Sequence, residues 1–193
     1  MIRIGVTGGI GSGKSVVSEI FRLHGIPLYN ADREAKALND SSPRIREQLS
    51  RLFGEDLYAG GRLDRKKLAS LIFYDDRKLN AVNVIIHPEL AHHFAGWCRQ
   101  RERFPMTVLD AALLFESGFH RLVDRTVTVH APEELRIDRV MRRDGMTRDA
   151  VMARINSQWP EEEKMRRADY LICNDSSHSL IRQVAGVINS IIA

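Results

Sequence analysis

The eight residues Gly8-Gly9-Ile10-Gly11-Ser12-Gly13-Lys14-Ser15 constrain this chain more than any other stretch, because they match G-x-x-x-x-G-K-[ST] without a mismatch. A polyphosphate is held by several donors converging on its oxygens. Successive backbone N–H groups supply them only where the chain wraps closely around the anion. Glycines at 8, 11 and 13 permit that approach and the positive φ it demands. The pattern also dictates its flanks: a buried strand delivers the loop, and a helix leaves it with its partly positive end on the phosphates. Both are legible here. Residues 2–7 form a short β-branched run, and Val16, Val17, Ile20, Phe21 and Leu23 recur at helical spacing until His24-Gly25 stops the helix. Residues 26–29, closed by Asn30, make a second strand, so the chain opens with one βαβ unit of a parallel sheet. Within the loop, Lys14 is expected on the β- and γ-phosphates and the Ser15 hydroxyl on Mg²⁺.

Three later runs, residues 106–109, 126–129 and 170–173, bring the expected strands to five. Between 31 and 104 the pattern is helical and polar, with amphipathic stretches at Arg65, Leu68, Leu71, Ile72 and at Leu79, Val82, Ile85, Ile86. Gly60-Gly61 and Asp75-Asp76 mark loops, and no strand-period run interrupts the segment. Helices are expected to start near Pro132, as a first helical residue, and near Thr147, as a cap, with a last one over Leu180 to Ile192. The sequence thus predicts an α/β fold of the P-loop kinase type, a five-stranded parallel sheet flanked by helices. One domain spans 1–193: a core of 1–31 and 105–193, a mostly helical acceptor-binding insertion over 32–104, and lid helices over about 132–165.

Composition narrows the function. With 193 residues, 44% hydrophobic and 28% charged, the chain is an ordinary globular protein with a real core. A net charge of +4 suits an anionic small molecule as well as nucleic acid. Cys98 and Cys173 are too few and too far apart for a disulfide framework or a zinc site. No leader pattern and no 18-residue apolar window occurs, so a cytoplasmic location and no membrane partner are expected. No Asn-Lys-x-Asp run reads guanine, motor and AAA-type ATPases are longer and carry an acidic pair, and a short phosphate-loop chain with a helical insertion suggests a small kinase that closes over two substrates. The acceptor of such a kinase is a nucleoside, a nucleoside monophosphate or another small metabolite. A nucleotide-dependent protein acting on nucleic acid is the reading of another class.

Several single residues have two readings each. Asp110, after Val108-Leu109, is a metal-side carboxylate or a plain strand-end acid. Asp32 follows the second strand and is the base that takes the acceptor proton, or the N-cap of the next helix. Arg136, Arg139 and Arg143 share one helix face, either clamping the migrating phosphoryl group or paired in solvent with Glu133, Glu134, Asp138 and Asp144. His87, before Pro88, is a substrate contact or an ordinary half-buried histidine, and Trp97 and Trp159 are packing residues.

Taken in order, the motifs resemble the dephospho-CoA kinase family over nearly the whole chain. Residues 4–15 are similar to its first strand and phosphate loop, and Asn30-Ala31-Asp32 to its Asp-Ala-Asp segment. Residues 61–68 with Ile86-His87-Pro88 resemble the region that holds the CoA portion, and residues 110–116 the D-x-P-L-L-F-E stretch. Residues 139–144 resemble the lid, and residues 154–158 with Ala168-Asp169-Tyr170 and Asn174 the closing segment. The resemblance implies transfer of the γ-phosphoryl group of ATP to the ribose 3′-hydroxyl of dephospho-CoA, with Mg²⁺, in a monomer or weak homo-oligomer that binds no nucleic acid. It implies Asp32, Lys14 and Arg139 as catalytic residues, and Ser15 and Asp110 as metal-side residues. It places Gly11, Ser12, Gly13, Lys14, Ser15 and Val16 on the nucleotide phosphates, Arg143 in the lid, and Asn174 near adenine. Thr7, Asp32, Arg65 and His87 fall to the acceptor. Four positions depart from the family pattern: Asn30 for the first Asp, Ala112 for proline, Val16 for threonine and Cys173 for Asp.

Overall fold

A computed structural model describes residues 1–73 and 75–192. Strand β1 (Ile2–Thr7) buries Ile4 and Val6 completely and feeds the glycine loop, from which α1 (Lys14–Leu23) leaves. The turn after α1 is a Schellman motif: Gly25 N–H donates to Arg22 O at 2.9 Å and Ile26 N–H to Phe21 O at 3.3 Å. Ile26 and Phe21 also pack in one apolar cluster, the contact this motif favours. Ile26 therefore belongs to the helix stop. Strand β2 (Leu28–Asn30) begins later than the expected 26, after Pro27, which has no N–H to give the ladder.

The next elements are α2 (Ala31–Ser41), α3 (Pro43–Phe53), β3 (Tyr58–Ala59), β4 (Arg62–Leu63), α4 (Arg65–Ile72) and α5 (Asp76–Arg99). The parallel pattern resumes with β5 (Met106–Asp110) and β6 (Arg125–His130). Helices α6 (Glu133–Asp144), α7 (Arg148–Asn156) and α8 (Glu161–Arg167) follow, then β7 (Tyr170–Cys173) and α9 (Leu180–Ile192). Among the described residues, no helix is long and apolar enough to cross a membrane.

The chain divides into two compact units, Met1–Asn30 with Arg101–Ala193, and Ala31–Gln100. The first holds the five-stranded sheet in the order β2-β5-β1-β6-β7, with every pairing parallel, so all strand carboxyl ends lie at one edge. Side chains alternate across a strand. Ile4, Val6, Val108 and Val127 accordingly share a cluster with Val17 and Phe21 of α1 and Val184 and Val187 of α9. A second cluster joins Ile137, Val140 and Val151 of α6 and α7, with Ile10 of the loop packed against it.

The second unit builds its own core from Ile45, Leu49, Leu57, Tyr58, Leu63, Leu68, Val82 and Ile85. No strand was expected here, yet Gly60 and Gly61, at φ +60° and +82°, turn a hairpin that pairs Tyr58 with Leu63. Positive φ at both central residues is the two-residue turn whose twist suits a hairpin, and glycine adopts it without strain. A further difference lies at Pro132, which sits at the N-cap of α6 in extended geometry, with Glu133 as the first helical residue. Thr147 does cap α7, accepting from Ala150 N–H at 3.4 Å.

One surface tie gives a pH test of this sheet. Arg3 donates to the Asp124 carboxylate through its backbone N–H, Nε and Nη2 at 2.8, 3.0 and 2.7 Å. These bonds hold the Asp124 carboxyl below its ordinary value, although burial opposes them. A depressed folded pKa adds stability above the unfolded value of about 4 and loses it as the pH falls through the folded one. Both side chains are more than a third exposed (41% and 38%), so solvent screening limits the pair to at most about 1 kcal/mol. Asp124→Asn is expected to lower Tm by about 2–4 °C at pH 7, with the deficit shrinking below about pH 4, as calorimetry would record.

Candidate active site

The site begins where β1 runs out. Thr7 is fully buried and donates its hydroxyl to Ala112 O at 3.1 Å, so this residue, expected on the acceptor, braces the strand end. Beyond it the loop turns through Gly11 and Gly13 at φ +81° and +90°. Gly13 answers a second demand as well: a Cβ there would lie 2.1 Å from Asn174 Nδ2. Ser12 N–H donates back to Gly9 O at 3.0 Å, and Ile10 N–H to the Gln158 side-chain oxygen at 3.0 Å.

Lys14, at the start of α1, forms an ion pair with Asp110 at the end of β5, whose side chain is 2% exposed. Asn30 Nδ2 donates to the other Asp110 oxygen at 3.4 Å, and the ladder registers both Val6 and Asn30 with Asp110. Asp110 is therefore no plain solvated strand-end acid: it is a buried carboxylate aimed at the loop lysine. Ser15 and Val16 lie exposed in the first turn of α1.

Residues from three further segments meet the loop. Arg139 donates to Gly11 O at 3.4 Å and to Asn174 O and Oδ1 at 3.2 and 3.3 Å. Asn174, which follows β7, donates its Nδ2 to Ser12 O at 2.8 Å and its N–H to His130 O at 2.7 Å. Lys14, Asp110, Arg139 and Asn174, expected from separate motifs, are thus brought onto one loop.

The basic face of α6 divides. Arg139 meets the loop, but the Arg143 guanidinium, 62% exposed, is bidentate on Asp144 at 2.7 and 2.9 Å. Arg136 is buried against Glu161, at 3.1 Å. Neither a single clamp nor a solvated stripe describes this face. In the second unit, Arg65 pairs with Asp40 at 2.5 Å and donates to Lys36 O at 3.1 Å. His87 is half-buried on α5, and burial lowers its pKa. Asp32 is exposed one residue inside α2, so it is not the cap of that helix, although an acid in a first turn suits the helix dipole.

Among the described residues, no group of three or more His, Cys, Asp or Glu could hold a metal ion. What the loop and its neighbour β5 offer is one exposed hydroxyl, Ser15, and one carboxylate, Asp110, while the Ser12 hydroxyl is buried. That donor set fits Mg²⁺, which keeps most of its waters and takes phosphate oxygens, and does not fit a cation needing an all-protein cage.

Sequence reasoning did not foresee which charged side chains are buried. Besides Arg136 and Glu161 these include Lys164, fully buried with its Nζ 2.6 Å from a Glu116 oxygen that also accepts from Trp159 N–H at 3.1 Å. Three consecutive glutamates and a mixed basic run make α8 read as a solvated helix, and nothing local marks Glu161 and Lys164 as its buried members. The Arg167 guanidinium lies 4.8 Å from the centre of the Trp159 ring.

Comparison with known proteins agrees with this geometry. The family model described as dephospho-CoA kinase matches residues 2–179. A dephospho-CoA kinase of Porphyromonas gingivalis is 44% identical over 192 residues, covering 99% of this chain and 95% of its own. A crystal structure of a Thermus thermophilus protein superposes with a TM-score of 0.87 at 37% identity, covering 100% and 98% of the two chains. The dephospho-CoA kinase of Campylobacter jejuni superposes at 0.71 with 26% identity, covering 98% and 96%. Matched by that family model over residues 2–179 and by a 44% identical relative over almost its full length, the chain belongs to the dephospho-CoA kinase family.

Proposed function

We propose that this protein transfers the γ-phosphoryl group of ATP to the ribose 3′-hydroxyl of dephospho-CoA, giving CoA and ADP. The observation that carries the reading is the Lys14–Asp110 ion pair at the glycine loop of a chain of this family. Phosphoryl transfer asks little covalent chemistry of a protein, so positioning and charge do the work. The loop amides cradle the phosphate tail. Lys14 trades Asp110 for the β- and γ-oxygens, and Arg139, one turn of α6 beyond Arg136, neutralises the charge that spreads over the migrating group. Asp32 orients the ribose hydroxyl and takes its proton as the oxygen attacks the γ-phosphorus and the bond to the β-bridging oxygen breaks. Ser15 and Asp110 would hold Mg²⁺, which when bound supplies further neutralisation of the phosphate oxygens. Arg65 and His87 of the helical unit contact the acceptor, and Asn174 lies beside the adenine end of the nucleotide.

An acceptor panel tests the reading. The chain with Mg²⁺ and ATP is expected to release ADP with dephospho-CoA at a kcat/KM about 100-fold or more above AMP, CMP or shikimate, because buried polar groups left unpaired by a wrong acceptor cost that much. Mass spectrometry would identify CoA as the product. Faster turnover with any of the other three acceptors would overturn it.

A further inference from the structure

We propose that Arg136 and Glu161 are positioning residues that set the shape of the nucleotide loop, a role distinct from the charge work of Arg139 on the same helix. Arg136 is 4% exposed, and an arginine is almost never so buried unless paired. Its Nη2 lies 3.1 Å from Glu161 of α8, whose side chain is 8% exposed, and 3.8 Å from Glu133. Burial pushes the Glu161 carboxyl up, opposed by Arg136 and then by His130, whose Nδ1 is 3.4 Å away.

The loop rests on this residue at two points. A Cβ on Gly9 would lie 2.3 Å from Arg136 Nη1, and one on Gly11 would lie 2.5 Å from the Arg136 carbonyl oxygen and 2.9 Å from its Cα. Side chain and main chain of one arginine therefore floor the loop, with no side chain between them and its backbone. An apolar pair of similar volume would fill the same space without the desolvation penalty of buried charge. The guanidinium adds a rigid plane whose orientation the Glu161 carboxylate dictates. Because the loop binds phosphate through its main chain, a small displacement of Gly9 or Gly11 misplaces the amides themselves.

The proposal rests on the kinase reading only in taking the loop as a nucleotide site, so its first readout uses no acceptor. Titration calorimetry of the full chain with Mg-ADP is expected to show a Kd about tenfold weaker in Glu161→Gln, whose buried guanidinium has lost its counter-charge. The KM for dephospho-CoA should stay within about twofold, a split that a loss of folded protein would not produce. Should that variant fold poorly, Arg136→Met combined with Glu161→Leu removes both charges together. It is expected to recover the parent Tm and to keep the weak Mg-ADP affinity. Parent-like affinity in either variant, once folded, would overturn the proposal, because the pair would then be filler. Absence of turnover with dephospho-CoA alongside a weakened Mg-ADP Kd would sink the acceptor assignment and leave this one standing.

Discussion

Lys14→Met should lower kcat by roughly 10²–10³-fold, the cost of removing one preorganised charge from the developing transition state. The same substitution also strips the buried Asp110 carboxylate of its cation and leaves it with Asn30 Nδ2 at 3.4 Å. Breaking a buried pair on one side costs about 3–5 kcal/mol of stability. Activity alone would therefore mix two losses. The double variant Lys14→Met, Asp110→Asn isolates the stability loss, since it leaves no uncompensated charge, although it also removes the carboxylate proposed for Mg²⁺. It is expected to regain most of the lost Tm and none of the lost kcat. Recovery of kcat along with Tm would show that Lys14 only neutralises Asp110, and that the migrating phosphoryl group is stabilised elsewhere.

The Lys14–Asp110 pair also shows why parts of this molecule are legible in sequence and others are not. Phosphate loops obey local rules: glycine where φ is positive, a strand before, a helix after. The five sheet strands follow from short apolar and β-branched runs bounded by turn residues, and α9 from apolar residues at helical spacing. The hairpin at Gly60-Gly61 does not, because strands of two residues are too short to show an alternation. Spacing puts Arg136, Arg139 and Arg143 on one face of α6 and can say no more. Their fates depend on partners that spacing does not see: Glu161 from another helix, Gly11 and Asn174 from two loops, and Asp144 at the end of α6 itself. Burial is decided by tertiary neighbours, and the supports of a site are where that matters most.

Asp32 is the residue for which the chemical expectation is sharpest. Its carboxylate is exposed in the first turn of α2, beside Glu34 of the same turn. Removing its charge costs the helix at most about 1 kcal/mol of dipole interaction, so Asp32→Asn should fold. Loss of a positioned general base typically lowers a rate by roughly 10²–10⁴-fold, and kcat with dephospho-CoA is expected to fall within that range. Mg-ADP affinity should be unchanged, because ADP carries neither the γ-phosphoryl group nor the acceptor hydroxyl that Asp32 serves. The asparagine also separates two parts of the role. Its side-chain oxygen still accepts a hydrogen bond from the ribose hydroxyl, but it cannot take the proton. If orientation were the larger part, Asp32→Asn would retain most of the rate and Asp32→Ala would lose it. If proton acceptance dominates, both variants fall together, and that is the expected result. A kcat within about twofold of the parent in Asp32→Ala would remove Asp32 from the chemistry altogether.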